Sequence, residues 1–220
     1  MIATIDLEQG LAALATAGIS LPQGAREKLD TYLALLAKWN SVYNLTAIRD
    51  PEQMITHHVL DALVVLPQLP HTDRARVLDV GSGGGAPGIP LAIARPSWTV
   101  VLIDSNHKKG AFLQQVAIEL GLANVKTVTA RVEDYAADAL FDVVISRAFS
   151  DLSTFAQSSA RHLAPGGRLY AMKGVFPDEE IAQLPTIVRI VAAPALAVPG
   201  LDAQRHLVVM ESVPAAKDGA

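Results

Sequence analysis

The spacing of apolar residues along the chain changes near residue 76. Before that point, apolar residues recur three or four positions apart, which is the spacing of helices that pack on a core. The longest stripe, which we interpret as a packing face, comprises Leu29, Tyr32, Leu33, Leu36 and Trp39. A further helix is predicted over residues 54–63, with Pro51 at its start. Residues 1–75 are therefore predicted to form a helical extension packed on the rest of the chain.

After residue 76, short valine-rich runs alternate with longer segments of helical spacing. The runs predicted to be strands are residues 77–80, 100–104, 125–129, 142–146, 168–173, 187–192 and 206–211. Strands that alternate with helices form parallel sheets, so we predict an α/β, Rossmann-like fold with a mostly parallel seven-stranded sheet and an antiparallel edge hairpin. This core is predicted over residues 76–212, with a turn at Gly166-Gly167 before the fifth strand. Residues 213–220 are predicted to be a frayed tail.

A glycine-rich stretch, Val77-Leu-Asp-Val-Gly-Ser-Gly-Gly-Gly-Ala-Pro-Gly-Ile-Pro90, follows the pattern strand, tight loop, helix. Such loops let a nucleotide lie against bare backbone. The spacing Gly83-x-Gly85-x-x-Gly88 also fits the dinucleotide fingerprint, which leaves a nicotinamide-dependent oxidoreductase as an alternative. Asp79 before the first glycine, Gly81, and Asp104 at the end of the next strand favour a methyltransferase that uses S-adenosylmethionine.

Composition narrows the chemistry further. The chain has no cysteine, which excludes disulfides, thiolate metal sites and methylation of pyrimidine carbon 5 by a cysteine nucleophile. No apolar run has the length of a membrane span and no signal peptide opens the chain, so we predict a soluble cytoplasmic protein. The net charge of −4 argues against a strongly basic nucleic-acid binder, although a local basic surface remains compatible with it.

Several residues after the predicted strands are candidates for function. Asp104 has the position of a carboxylate that accepts hydrogen bonds from ribose hydroxyls, with a helix N-cap as the alternative. Val132 and Glu133 follow the third strand, where a methyltransferase-like fold holds adenine. Arg147 follows the fourth strand and is predicted to orient cofactor or acceptor, with a structural ion pair as the alternative. His58 and Asp61 lie on one helix face, where an anchoring contact and catalysis are both open interpretations, and no metal site is predicted.

Taken together, these residues resemble the bacterial RsmG (GidB) methyltransferases. The matching blocks are Trp39-Asn-x-x-Tyr-Asn-Leu-Thr46, His58-x-Leu-Asp61, the glycine loop, Leu102-Ile-Asp-Ser105, Arg131-Val-Glu133, Ile145-Ser-Arg-Ala-Phe149, Met172-Lys-Gly174 and Arg205-His-Leu-Val-Val209. The resemblance implies S-adenosylmethionine-dependent methylation of guanine N7 in 16S ribosomal RNA, free or in the small subunit. It also implies cofactor contacts at Gly81, Ala86, Val132, Glu133 and Arg147, although position 86 is often a bulkier apolar residue in that family.

The implied reaction needs little acid–base chemistry. Guanine N7 carries a lone pair, so in-line attack on the methyl group needs no general base, and placement supplies the catalysis. Phe149 is predicted to stack on the base. Cations predicted to contact RNA phosphates are Lys108, Lys109, Lys173 and Arg205.

Two further alternatives for the function of the chain are a methyltransferase for small molecules or proteins, and a sensor that binds the cofactor without turnover. The sequence indicates no oligomeric state.

Overall fold

A computed structural model describes residues 5–213 of the chain. Within this range the strands are β1 (Arg76–Val80), β2 (Thr99–Asp104), β3 (Val125–Thr129), β4 (Phe141–Arg147), β5 (Leu163–Lys173), β6 (Val188–Ala192) and β7 (His206–Ser212). They form one sheet in the order β3-β2-β1-β4-β5-β7-β6. The first five strands are parallel to one another, whereas β7 is antiparallel to both β5 and β6. The predicted sheet is confirmed. Of the predicted tail, residues 213–220, only residue 213 is among the described residues.

The helices lie before and between these strands. They are α1 (Leu7–Thr16), α2 (Ala25–Tyr43), α3 (Pro51–Met54), α4 (Asp61–Leu63), α5 (Gly88–Ala94), α6 (His107–Glu119), α7 (Leu152–Ser159) and α8 (Asp178–Ala182). Shorter 3-10 turns occupy Leu66–Gln68, Val132–Asp134 and Ala160–His162. None of the helices in residues 5–213 is long and apolar enough to cross a membrane.

The helix predicted over residues 54–63 is present but not uniform. Asp50 caps α3 by accepting a hydrogen bond from the Glu52 amide at 3.1 Å, and Pro51 follows at the first helical position. The chain then passes through a π-helical turn, Ile55–Leu60, before α4. Such turns are rare and concentrate at functional sites, and apolar spacing alone does not predict them.

Alternation along the strands divides the core into two layers. Val77 and its neighbours on one face of the sheet pack with α1, α2, α5 and α6, whereas Leu78 and its neighbours on the other face pack with α7. In the α2 stripe, Leu29, Tyr32 and Leu36 are fully buried and the other two members are partly buried. Each fully buried apolar side chain of this size stabilises the fold by about 2 kcal/mol. The stripe is therefore a packing face, as predicted.

The start of β5 differs from the prediction. The strand begins at Leu163, so that Gly166 and Gly167 lie inside it rather than in a turn before it. The register with β4 shifts at this point, and Gly166 has a φ of 81°. A Cβ on Gly167 would lie 2.6 Å from the Phe141 carbonyl oxygen. The glycines therefore form an irregularity that lets two strands approach closely, which is a role that sequence alone does not separate from a turn.

Candidate functional site

The carboxyl ends of four neighbouring strands surround one cavity. It has a volume of about 340 Å³ and lies where the strand order reverses between β1 and β4, which is the usual ligand position in such sheets. The predicted site residues in its wall are Gly81, Asp104, Lys109, Val132, Glu133 and Phe149. The predicted residues that do not line it are Asp79, Gly83, Gly85, Ala86, Lys108, Arg147, Lys173 and Arg205.

The glycine loop is held by a buried carboxylate. Asp79 is fully buried, and its Oδ2 accepts a hydrogen bond from the Gly88 amide at 3.0 Å. A Cβ on Gly88 would lie 2.2 Å from Leu102 and 2.6 Å from Asp79 Oδ2, so only glycine fits this close approach. The second oxygen, Oδ1, has no hydrogen-bond partner among the described residues. Asp79 therefore supports the loop from beneath, with one acceptor left over.

A tyrosine of α2 fixes the other side of the loop. The Tyr32 hydroxyl is buried and donates to the Gly84 carbonyl oxygen at 2.6 Å. Burial raises the pKa of this phenol, so Tyr32 remains a donor throughout the physiological range. The sequence identified Tyr32 only as part of an apolar stripe. A hydroxyl in a core-facing position, which needs a partner when buried, is the signal that would have marked it.

Asp104 connects the loop to the next helix. Its Oδ2 accepts from the Gly83 amide at 3.0 Å, and its Oδ1 accepts from the Asn106 amide at 2.9 Å. The N-cap of α6 is Asn106, whose side chain accepts from the Lys108 amide at 2.9 Å, so Asp104 is not the cap. Each carboxylate oxygen has a second lone pair, which leaves acceptor capacity in the cavity wall. The Lys109 ammonium lies 3.8 Å from Oδ2.

The segment after β3 presents backbone donors to the cavity. Among the described residues, the amides of Val132 and Glu133 have no acceptor, whereas both carbonyl oxygens accept from the Arg161 guanidinium. The contact from Arg161 to Val132 is 3.0 Å. Arg161 therefore fixes the orientation of a turn whose first two N–H groups have no acceptor among the described residues. No sequence motif indicated Arg161, because its partners lie in a different part of the chain.

Arg147 lies in a cluster with the π-helical turn. Its Nη1 is 3.6 Å from Asp61 Oδ2 and donates to the His57 carbonyl oxygen, while its Nη2 lies 3.0 Å from His58 Nδ1. The Arg205 guanidinium reaches the same carboxylate, with Nε 3.1 Å from Asp61 Oδ1. The Asp61 side chain is only 4% exposed, so one buried carboxylate pairs with two arginines. The structural ion pair considered for Arg147 is thus present.

The same cluster fixes the protonation of His58. Arginine only donates, so His58 Nδ1 is the acceptor, and the ring proton on Nε2 is directed to Thr46 Oγ1 at 3.2 Å. Burial, and next the positive charge of Arg147, lower the pKa of His58 to about 3. The ring is therefore neutral near pH 7. It anchors the turn to the end of α2, and it is not a general base for the cavity.

A left-handed residue separates Arg147 from Phe149. Ala148 has a φ of 60°, a conformation that costs a residue with a Cβ free energy. Phe149 lines the cavity and packs on Phe155 with ring centroids 5.4 Å apart, whereas Arg147 contacts Asp61 instead. The left-handed conformation of Ala148 thus lets Arg147 and Phe149 lie in different surroundings.

The four cations predicted to contact RNA have different surroundings. Lys173 is engaged by Glu180 at 2.7 Å, and Arg205 is engaged by Asp61. Lys109 lines the cavity, and Lys108 lies over the ring of Tyr43 with its Nζ 5.8 Å from the centroid. Of these four cations, only Lys109 lines the cavity, while the adjacent Lys108 is directed to Tyr43.

The buried Asp79 predicts a measurable pH dependence of stability. Burial raises the pKa of Asp79 to about 7, while the bond from Gly88 opposes this shift. Between the ordinary pKa of an aspartate, 3.8, and about 7, the folded protein therefore holds a proton that the unfolded chain has lost. This contribution to stability falls as the pH rises and is lost once the pH has passed 7. Asp79→Asn cannot ionise at this position. We therefore expect its free energy of unfolding, taken relative to that of the unsubstituted protein, to rise by about 1 kcal/mol from pH 6 to pH 8.

Urea unfolding of both proteins at the two pH values tests this. The titration of His58 cancels in the comparison, because both proteins contain it. A stability difference that is the same at pH 6 and pH 8 would show that Asp79 does not titrate in this range.

Comparisons with known proteins agree with this geometry. The model of the family described as rRNA small subunit methyltransferase G matches residues 25–208. A protein of that name from Chromobacterium violaceum is 54% identical over 94% of this chain and 97% of its own length. Another, from Nitrosospira multiformis, is 52% identical over 90% of this chain and 94% of its own length.

Solved structures support the same fold at low sequence identity. The glycopeptide N-methyltransferase MtfA, solved in complex with S-adenosyl-L-methionine, aligns with a TM-score of 0.58 and 13% identity, over 71% of this chain and 96% of its own. The structure of YjhP from E. coli aligns with a TM-score of 0.57 and 15% identity, over 81% of this chain and 99% of its own.

Proposed function

We propose that this chain, which belongs to the rRNA small subunit methyltransferase G family, transfers the methyl group of S-adenosylmethionine to N7 of a guanine in 16S ribosomal RNA. The observation that carries the proposal is the cavity at the switch point of the sheet, where backbone donors and a buried carboxylate converge. Its surroundings fit an adenosyl cofactor and contain no group that marks hydride transfer.

The cavity wall has partners for the adenosine part of the cofactor. Asp104 has free acceptor capacity for the ribose hydroxyls, and the amides of Val132 and Glu133 are free to donate to the adenine edge. Gly81 offers bare backbone beside them. The glycine loop with Gly83, Gly85 and Ala86 shapes the same end of the sheet. Asp79 holds this loop from beneath through its hydrogen bond with the Gly88 amide.

The residues near the mouth fit the acceptor half of the reaction. S-adenosylmethionine supplies a methyl group activated by a sulfonium. Phe149 presents an aromatic face in the cavity on which a guanine can stack, and Arg147 is fixed at the adjacent strand end by Asp61. Neither side chain is a base. This agrees with attack by the lone pair of N7, for which the protein orients the reactants and need not remove a proton before transfer.

RNA is the partner that this proposal requires. The family name and the relatives' names specify small-subunit ribosomal RNA, and Lys109 in the cavity wall, with the adjacent Lys108, supplies local positive charge on a chain of net charge −4. We place the enzyme in the cytoplasm with its substrate, either free RNA or the small subunit. Residues 1–75 act in this proposal as an extension that supports the glycine loop through Tyr32.

A labelled transfer assay tests the proposed function. We expect label from S-adenosylmethionine to enter 16S ribosomal RNA from cells lacking this protein, and to be recovered after digestion as 7-methylguanosine. Both free RNA and small subunits are offered as substrates. Label in another nucleoside would retain the methyltransferase and contradict the guanine N7 assignment.

Two further outcomes separate the alternatives. Competition of NAD with S-adenosylmethionine for the cavity would favour an oxidoreductase. Tight binding of S-adenosylmethionine without transfer to any ribosomal RNA would contradict the proposed substrate.

A further inference from the structure

The segment Trp39-Asn-x-x-Tyr-Asn-Leu-Thr46 has a conspicuous feature outside the cavity. Most apolar side chains of α2 face the core, but its last residue, Tyr43, is 43% exposed, and the preceding Val42 is 68% exposed. An exposed apolar residue needs no explanation by itself. Here, however, the aromatic ring is supported by other rings, one ammonium lies over it and a guanidinium contacts the residue after it.

The support is a stack of aromatic rings that reaches the core. Tyr43 packs on Trp39 with centroids 5.3 Å apart, and Trp39 packs on Phe112 of α6 at 5.7 Å. Phe112 is fully buried. These contacts hold the Tyr43 ring in place, so less conformational entropy is lost when a ligand stacks on it.

One cation lies over Tyr43, and another contacts the residue after it. Lys108 lies over the ring at 5.8 Å, and Arg49 donates to the side chain of Asn44, the residue after Tyr43, at 2.6 Å. In the part of the chain that the structure describes, neither Lys108 nor Arg49 has a carboxylate within salt-bridge distance. Asp50 is committed to the start of α3. This contrasts with Lys173 and Arg205, whose charges are paired.

The surface also joins the candidate active site. Lys109 lines the cavity, and the adjacent Lys108 lies over Tyr43. A strand of RNA that places one base in the cavity would therefore pass the Tyr43 ring with a neighbouring nucleotide. An exposed lysine over a ring is held weakly, and base stacking is the stronger interaction, so a base can displace the ammonium towards the phosphate.

We infer that Tyr43, with Lys108 and Arg49, forms an RNA-binding platform on which a base flanking the methylated guanine stacks. This inference rests on the proposed function, since it names the surface that holds the rest of the substrate. The platform is sequence-tolerant, because every base has a face to stack, while the two cations contact the backbone.

Steady-state kinetics on the substrate that the unsubstituted enzyme methylates test the platform. We expect Tyr43→Leu to raise the KM for RNA by about 5- to 100-fold, with the Kd for S-adenosylmethionine unchanged, because it removes stacking and keeps apolar bulk. Tyr43→Phe should stay within about twofold. The control Ile118→Ala removes an apolar side chain that is more exposed than Tyr43, at the other end of α6, and should have no effect.

Charge reversal provides a second variant in case Tyr43→Leu lowers stability. Lys108→Glu should raise the KM for RNA and reduce its dependence on salt, and it alters no buried contact. A photocrosslinker at position 43 should label ribosomal RNA in the small subunit. An unchanged KM in Tyr43→Leu, or crosslinks only to ribosomal protein, would overturn the inference. Absence of methyl transfer by the unsubstituted enzyme would instead contradict the proposed function.

Discussion

Replacing Asp61 by asparagine is expected to destabilise the protein by about 3 kcal/mol. The substitution keeps the size of the side chain but removes the single carboxylate that Arg147 and Arg205 share. Removing one partner of a buried ion pair leaves uncompensated charge, which costs about 3 to 5 kcal/mol. The lower end applies because the two arginine side chains are 22% and 20% exposed, so water screens part of their charge.

Urea unfolding at pH 7 measures this change, and an exposed ion pair provides the control. Glu8 lies 3.0 Å from Arg26, closer than Asp61 lies to Arg147, but these side chains are 70% and 52% exposed. We expect Glu8→Gln to change stability by less than about 1 kcal/mol. Equal and small effects of the two substitutions would show that burial does not strengthen the Asp61 cluster. Because Arg147 loses its anchor, Asp61→Asn should also weaken methyl transfer.

Replacing Asp104 by alanine is expected to weaken the binding of S-adenosylmethionine by about 100- to 10,000-fold. Under the proposed function, the carboxylate accepts two hydrogen bonds from the ribose, each worth about 1.5 to 3 kcal/mol because the acceptor is charged. The same substitution leaves the amides of Gly83 and Asn106 without acceptors, so the glycine loop and the start of α6 lose their connection. Both effects reduce affinity.

Isothermal titration calorimetry, together with thermal unfolding, separates the two effects. Asp104→Asn retains one oxygen acceptor for the backbone and should weaken binding by about 10-fold, with a smaller loss of melting temperature. Asp134→Asn removes a charge from the surface of the adjacent 3-10 turn and should leave the Kd unchanged. If Asp104→Ala binds the cofactor normally, Asp104 is a structural connector and the proposed ribose contact is wrong.

Local patterns were sufficient for the sheet and for the place of the cavity. Alternation of strand and helix is determined over ten to twenty residues, and the ends of parallel strands meet at one edge whatever the details of packing. Asp104, Val132, Glu133 and Phe149 were predicted as site residues because each ends or follows a strand, and each lines the cavity. Their individual contacts with the cofactor remain predictions.

The surroundings of Arg147 and Asp79 were not available from such patterns. Arg147 was considered for the cofactor or for an ion pair, and only the fold brings it to Asp61 and His58. Asp79 was assigned to the cofactor from its place before the glycines, whereas the structure places its carboxylate beneath the loop on Gly88. A strand's alternation gives the face of a side chain, but not how deeply the following loop covers it.

The sequence by itself determined the Rossmann-like order of elements, the glycine loop and the family resemblance, because these depend on the types and spacing of neighbouring residues. Tertiary structure alone decided which charges are paired, which ring is exposed, and where the chain reverses at Ala148. Asp61 and Arg205 are 144 positions apart, and Tyr43 meets Lys108 only because α2 packs on α6. Pairing and burial depend on contacts between distant segments, and no local pattern specifies those contacts.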